Sequence, residues 1–390
     1  MKFLKGLAVL WLVLSFWLII QPKEPATPPP LPWMEIKATL SFTGQWLAFA
    51  VDPEAEGVFG RHPEARTELL IVDRQAGETT RIQSPKLSLR SPRLSGRGDK
   101  IVFEGAPGPD YLSDIYLAPT DGSKAPDALA SPWRSGGHGS AYLPNISEDG
   151  ELVSFITYRP HGSTLKSWER AVAVGPPNKV ETPYPFKVGI GSGLVALSPD
   201  GQRVAWENRQ LEPDGSFRGR LMVAENDQIR TLDEPAWEPS LSANRCAYVV
   251  PDGKGVYQIA VHDFTTDLKT VLTSGNGDSF EPCLSADGKA LVFTSYANDI
   301  VAGDLNNASD VFLLDLETRT VSRVSKQGNA NSYSPTLSGD GTTVAFSSLA
   351  TNLGEEAVPA GQVYLWERGW ERCRTVSPQT GASTTVQVPE

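Results

Sequence analysis

Short apolar runs alternate with polar, turn-rich stretches at a steady spacing along this chain. AYLPNIS (141–147), AWEPSLS (236–242), SFEPCLS (279–285) and SYSPTLS (332–338) share one order: aromatic, any residue, Pro, any residue, aliphatic, Ser. Weaker copies end at Ser41, Ser95 and Ser198, and the copy at Ser95 keeps Pro92 without the aromatic. Counting on from each Ser, a Gly falls at +3 six times: Gly44, Gly98, Gly150, Gly201, Gly288 and Gly341. An aromatic falls at +8 six times: Phe49, Phe103, Phe155, Trp206, Phe293 and Phe346. The copy from Ser242 lacks the turn Gly and two residues, so Tyr248 falls at +6. A deletion confined to the turn, with both flanks kept, marks a hairpin. Asp-Gly at 200–201, 287–288 and 340–341 supplies the φ > 0 residues of a tight hairpin turn. The far-side aromatic points into the core, where its burial contributes roughly 1.5–3 kcal/mol.

Two more strands follow in each copy. The third reads TELLIVD (67–73), SDIYLAP (113–119), RAVAVG (170–175), RLMVAE (220–225), YQIAVHD (257–263), SDVFLLD (309–315) and GQVYLWE (361–367). The fourth reads TTRIQS (79–84), QIRTL (228–232), KTVLTS (269–274), TVSRVS (320–325) and CRTVS (373–377). Four strands in seven copies predict an all-β chain, a seven-bladed β-propeller of four-stranded antiparallel blades; six blades is the lesser reading. The copies cover about 35–84, 89–132, 140–183, 192–232, 236–274, 279–325 and 332–377, within a propeller domain at 33–390.

SPDGQRVAW (198–206), SADGKALVF (285–293) and SGDGTTVAF (338–346) resemble the WD40-like Pro-Asp-Gly propeller repeats of the TolB-like family, over nearly all of 34–377. The resemblance implies an extracytoplasmic propeller that acts as a protein-binding module. It also implies six blades behind an α/β domain, whereas this chain counts seven copies behind a spacer. The WD-repeat signature itself is absent, since no Trp-Asp dipeptide occurs.

The N-terminus is a separate object. Lys2 and Lys5 precede an apolar run from Gly6 to Ile20, and a Pro-rich stretch from Gln21 to Pro32 follows. A basic start and an apolar core read as an export signal. The run is short against the roughly 17–25 residues of a spanning helix, unless Phe3 and a snorkelling Lys5 extend it. We therefore expect residues 1–20 to be a signal anchor, kept in preference to a cleaved signal peptide, and 21–32 a stiff spacer. With the lysines inside, the propeller lies outside the cytoplasm, in a periplasm or at the cell surface. Membrane contact is then through the N-terminal segment only.

Composition narrows function further. A net charge of −11 and a pI near 5.0 disfavour nucleic acid. Cys246, Cys283 and Cys373 show no CxxC spacing, so they are expected as buried strand thiols and no zinc or redox motif is present. Nothing in the sequence speaks to oligomeric state.

The second-to-third loops and the inter-blade links share one face, and they are long: Asp52–Arg66, Thr157–Trp168, Glu207–Arg218, Thr294–Ala308, Ser131–Ala141 and Thr182–Gly193. Copies 1–4 place Arg61, His62, Arg66, Arg134, His138, Arg159, His161, Lys166, Arg209 and Arg218 there; copies 5–7 place Asp278, Asp299, Asp304, Glu355 and Glu356. The basic side is a candidate site for an anionic ligand or acidic segment, against the plainer reading of a solvated loop surface. Trp168, beside Tyr158 and Arg159, is a candidate anchor or a packed strand residue. In GDLNNASDVF (303–312), Asp304, Asn306 and Asp310 form a candidate calcium loop. Calcium takes 6–8 oxygens and a full loop ends in a bidentate Glu. This stretch has neither that Glu nor the turn Gly, and Asp310 matches Asp114 at strand entry. A weak structural calcium ion is the one cofactor left open.

Prolyl oligopeptidases carry a similar propeller, but their chemistry needs G-x-S-x-G. Gly191-Ser192-Gly193 has Ile190 and Leu194 at its flanks, and the four histidines are spread along the chain. The expected function is non-catalytic binding of a protein or cell-envelope component through the long-loop face. The alternative is a metal-dependent hydrolase of lactonase or glycosidase type, using Asn145, Glu238 and Glu281 in the central channel.

Overall fold

The repeat's serine organises each hairpin. In a computed structural model of the chain, its Oγ accepts an N–H at or just before the start of the next strand in all seven copies: Trp46 to Ser41, Lys100 to Ser95, Leu152 to Ser147, Arg203 to Ser198, Arg245 to Ser242, Ala290 to Ser285 and Thr343 to Ser338, at 2.9–3.1 Å. The same hydroxyl donates to the turn aspartate in five copies, as from Ser285 to Asp287 at 2.6 Å. The turn glycine N–H closes onto the serine carbonyl, as from Gly288 to Ser285 at 3.0 Å. Only the glycines are left-handed, with φ of 69–76°. The two left-handed residues expected of a two-residue Asp-Gly turn therefore reduce to one. The aspartate keeps an ordinary backbone because its carboxylate is bound by the serine and by the N–H two residues on, as from Lys289 to Asp287 at 3.0 Å.

The structure describes residues 38–52, 66–107, 113–130, 140–160, 168–176, 187–188, 194–211, 217–226, 228–358, 361–376 and 384–389. The expected anchor and spacer lie outside them. The described strands form seven sheets with no helix. Sheet 1 holds Thr39–Leu40, Trp46–Val51, Glu68–Asp73, Glu78–Gln83 and Thr384–Gln387. The other six have four strands each, all antiparallel in sequence order, and their innermost strands are Ser88–Leu94, Ser140–Ile146, Val195–Leu197, Trp237–Leu241, Ser279–Leu284 and Ser332–Leu337. Each innermost strand packs beside the next, and the last packs beside Thr39–Leu40 of sheet 1. The sheets thus stand around a ring, as a propeller requires.

The +8 aromatics are all core. Phe49, Phe103, Phe155, Phe293, Phe346 and Tyr248 are fully buried, and Trp206 nearly so. Three of them stack on an aromatic of the third strand: Phe103 on Tyr116, Phe293 on Phe312, Phe346 on Tyr364.

At the tight-turn end, neighbouring turns are tied by backbone hydrogen bonds. Phe42 N–H donates to Gly96 O, Gly96 to Glu148 O, Glu148 to Pro199 O, Ala286 to Gly339 O and Asp340 to Phe42 O, at 2.7–3.0 Å. The relay lapses at Pro199, which has no N–H, and at the shortened turn of sheet 5. Arginines take over there: Arg203 donates to Ala243 O and Arg245 to Gly288 O. The seam between sheets 7 and 1 is packed, with Ala345, Val363 and Leu365 in one core with Leu47 and Phe49. Thr384–Gln387 adds in parallel to the outer edge of Glu78–Gln83, extending sheet 1.

Two of the expected long loops are partly strand. Arg203–Leu211 and Phe217–Glu225 pair through Leu211↔Phe217, and Val153–Pro160 pairs with Trp168–Gly175 through Pro160↔Trp168. Their polar residues carry no apolar alternation, so hairpin register rather than side-chain pattern holds them paired.

Candidate functional site

The ring encloses a central channel, and the repeat motif builds its wall. The residue just before the motif proline is left-handed in five copies: Ser91 (φ 53°), Leu143 (55°), Glu238 (54°), Glu281 (54°) and Ser334 (51°). Pairing of the innermost strand with the second slips at the same point, giving a β-bulge in sheets 2, 3, 5, 6 and 7. Non-glycine residues seldom adopt this backbone. Its repetition gives the motif's aromatic-x-Pro order a structural meaning: x is the bulge.

The bulges are stitched from sheet to sheet by carboxylates. Glu104 Oε1 accepts the Leu143 N–H at 2.7 Å, Glu238 Oε2 accepts the Glu281 N–H at 2.7 Å, and Glu281 Oε2 accepts the Ser334 N–H at 2.6 Å. Glu281 also takes the hydroxyls of Thr294 at 3.0 Å and Ser334 at 3.1 Å. Asn145 Nδ2 donates to Val195 O at 2.7 Å. Asn145, Glu238 and Glu281, expected as channel metal ligands, are thus brought to the channel wall but engaged by backbone.

Two residues before each motif serine, a second layer runs round the ring: Thr39, Arg93, Asn145, Ala196, Ser240, Cys283 and Thr336. All but Arg93 are neutral. Thr39 Oγ accepts the Leu94 N–H at 3.3 Å and Ser240 Oγ the Leu284 N–H at 2.9 Å, so the layer also joins adjacent sheets. Arg93, Asn145, Ser240, Cys283 and Thr336 are half-buried. On innermost strands of a closed ring, that exposure faces the channel. Arg93 was not singled out from sequence; the available signal is that it is the one charge in a slot otherwise neutral in every copy.

The expected basic face fares differently. Arg61, His62, Arg134, His138 and His161 lie outside the described residues. Arg159, Trp168, Arg209 and Arg218 lie on strands rather than in loops, in register with Glu169, Pro160, Gly219 and Gln210. On the acidic side, the carboxylates serve the loops themselves. Asp278 accepts the Tyr257 N–H and Asp299 the Asn276 N–H, each at 2.9 Å.

Asp304, Asn306 and Asp310 do converge, but on an arginine. Arg323 Nη1 lies 3.0 Å from Asp304 Oδ1 and Nη2 lies 3.0 Å from Asp310 Oδ2. Asn306 Nδ2 donates to Asp310 Oδ2 at 3.1 Å and to Gly328 O at 2.9 Å, and Ser325 donates to Asp310. Burial pushes the Asp310 carboxyl above the usual aspartate range, against Ser325 and Arg323, which hold it down. The guanidinium occupies the position a cation would take, which corrects the calcium-loop expectation for these three residues. Among the described residues no group of three or more His, Cys, Asp or Glu is placed to hold a metal ion. No described helix is long and apolar enough to cross a membrane.

Cys246 and Cys373 are buried as expected, whereas Cys283 is half-exposed. Burial pushes the Cys373 thiol up to about 12 and raises Cys246 further.

No family model matches the chain, and no curated protein matches it. Solved structures do. The propeller domain of the Trilobed protease from Pyrococcus furiosus, described as having an open velcro topology, matches with a TM-score of 0.63 at 11% identity, over 90% of this chain and 97% of that one. A puromycin-hydrolyzing peptidase from Mycobacterium tuberculosis matches with a TM-score of 0.62 at 15% identity, over 89% of this chain and 55% of that one. A prolyl endopeptidase matches with a TM-score of 0.62 at 12% identity, over 88% and 50%. The chain spans about half the length of these two peptidases. At such identities the likeness is one of fold, and the fold is a β-propeller. The neighbours are peptidase propellers, and this overturns the expectation of a non-catalytic envelope-binding module, together with its lactonase or glycosidase alternative.

Proposed function

We propose that this chain is the propeller part of a peptidase: a seven-bladed ring whose channel receives peptide segments for a hydrolytic centre outside the described residues. The observation that carries this reading is the match of about nine-tenths of the chain to propellers of peptide-cleaving proteins. Aromatic side chains on three innermost strands are in keeping with it. Trp237, Phe280 and Tyr333 stand half-buried at the start of their innermost strands, and the exposed Tyr296 lies 5.6 Å from Phe280, ring centre to ring centre. The exposed ring of Tyr296 offers an apolar face that would suit an extended peptide. The apolar segment at 1–20 supports a ring tethered outside the cytoplasm.

The test is direct. The full chain, purified in detergent with whatever copurifies, is incubated with short fluorogenic peptides, and hydrolysis and fluorescence anisotropy are followed together. We expect saturable binding of the peptides, with cleavage whenever the hydrolytic centre is present. A preparation that neither binds nor cleaves them removes the reading.

A further inference from the structure

We propose that Arg93 makes the channel a carboxylate-binding site. Its guanidinium stands in a ring layer that is otherwise neutral, on the innermost strand Ser88–Leu94. Five planar donors are available to it, and one is used, from Nη1 to the carbonyl of Pro92 at 3.1 Å. The nearby carboxylate is already taken: Glu104 binds Arg90 Nε through Oε2 at 2.9 Å and the Leu143 N–H through Oε1 at 2.7 Å. Arg93 makes no ion pair with any described residue, whereas Arg90, three residues earlier, does. This stretch of the wall therefore carries two guanidinium groups against one carboxylate, and the excess charge is at Arg93.

Burial inside the ring lowers the Arg93 pKa, while Cys283 and Glu104 oppose the shift. A guanidinium surrounded by protein and making no ion pair of its own binds carboxylates well, because a bidentate charge-assisted pair replaces incomplete hydration. For a peptide in the channel, the ligand group is an α-carboxylate or an acidic side chain. The peptide, though not the carboxylate site itself, rests on the function proposed above.

Cys283, the half-exposed thiol of the same layer, provides a reporter that needs no peptide. Iodoacetate and iodoacetamide alkylate a thiol by the same displacement of iodide, and only the first carries a carboxylate. Any effect of Arg93 on the thiolate fraction acts on both reagents equally and cancels in their rate ratio. We expect the iodoacetate-to-iodoacetamide ratio at Cys283, read by peptide mass mapping, to fall at least tenfold in Arg93→Gln and partly recover in Arg93→Lys. An unchanged ratio overturns the proposal, and so does a Cys283 that neither reagent reaches, since the channel would then admit no ligand of this size.

A second arm identifies the carboxylate source. Anisotropy is measured with a labelled tetra-alanine bearing a free C-terminus, its C-terminal amide, and the amide with one internal Asp. Preference for the free acid over both amides, lost in Arg93→Gln, assigns an α-carboxylate; preference for the Asp peptide assigns an acidic side chain. If the alkylation ratio falls while no peptide binds, the carboxylate site stands and the peptidase reading fails.

Discussion

Nη2 of Arg323 lies 3.0 Å from Oδ2 of Asp310, with both side chains almost fully buried in sheet 6. Asp304 completes the cluster from the preceding loop, 3.0 Å from Nη1. The loop is held by an internal cation on the fourth strand. Arg323→Ala leaves two buried carboxylates without a counter-charge and is expected to cost about 3–5 kcal/mol in urea unfolding. Millimolar calcium is expected to leave the wild-type melting temperature unchanged. A calcium-dependent rise that disappears in Asp304→Ala would mean that an ion displaces the arginine.

Phe346 is fully buried and stacks on Tyr364 with ring centres 5.8 Å apart. The Tyr364 hydroxyl is fixed in turn by a 2.9 Å bond to Ala350 O, so the wall around the phenyl ring cannot easily collapse into the space it leaves. Phe346→Ala is expected to cost about 3–5 kcal/mol. A loss below about 1 kcal/mol in denaturant titration would remove the +8 aromatic from the core argument.

The acid limb of stability is expected to depend on two equivalent aspartates at the ends of third strands. The Thr265 hydroxyl, opposed by burial and helped by Arg245, holds Asp263 at about 2. The Thr318 N–H, opposed by burial and helped by Arg368, holds Asp315 at about 2. Both folded values lie below the ordinary 3.8. Their contribution is therefore complete above about pH 4 and is lost as pH falls toward about 2. Asp263→Asn and Asp315→Asn should each melt lower than wild type at neutral pH and converge with it near pH 2. Parallel melting curves across the whole pH range would count against this account.

What the sequence made legible follows from which contacts repeat. The Ser, the +3 Gly and the +8 aromatic recur because each hairpin solves the same local problem, so the sheets could be counted without coordinates. The left-handed bulge was hidden, because nothing in Glu281 before Pro282 marks its backbone until the neighbouring Ser334 N–H is seen on its carboxylate. Arg209 and Arg218 read as loop residues because their strands lack apolar alternation; their pairing comes from hairpin register. Arg93 could be placed only once the innermost strands formed a ring. The likeness to peptidase propellers lies in the fold and leaves almost no trace at the level of residue identity.

The C-terminal strand gives the last prediction. Val386 and Val388 are buried while Thr385 and Gln387 are exposed, so the tail alternates as a strand with one face on the ring. Val388 N–H donates to Gln83 O at 3.0 Å and its side chain joins the core that spans sheets 1, 2 and 7. The strand therefore covers an edge that would otherwise stay open and packs on the core at the ring's seam. Val388→Asp places a charge in that core and is expected to cost about 2–4 kcal/mol, whereas Gln387→Ala, on the exposed face, should stay within about 0.5 kcal/mol of wild type. Equal stability of the two variants in chemical unfolding would mean that the ring is held without its tail. A loss confined to Val388→Asp would make the tail a structural part of the first sheet.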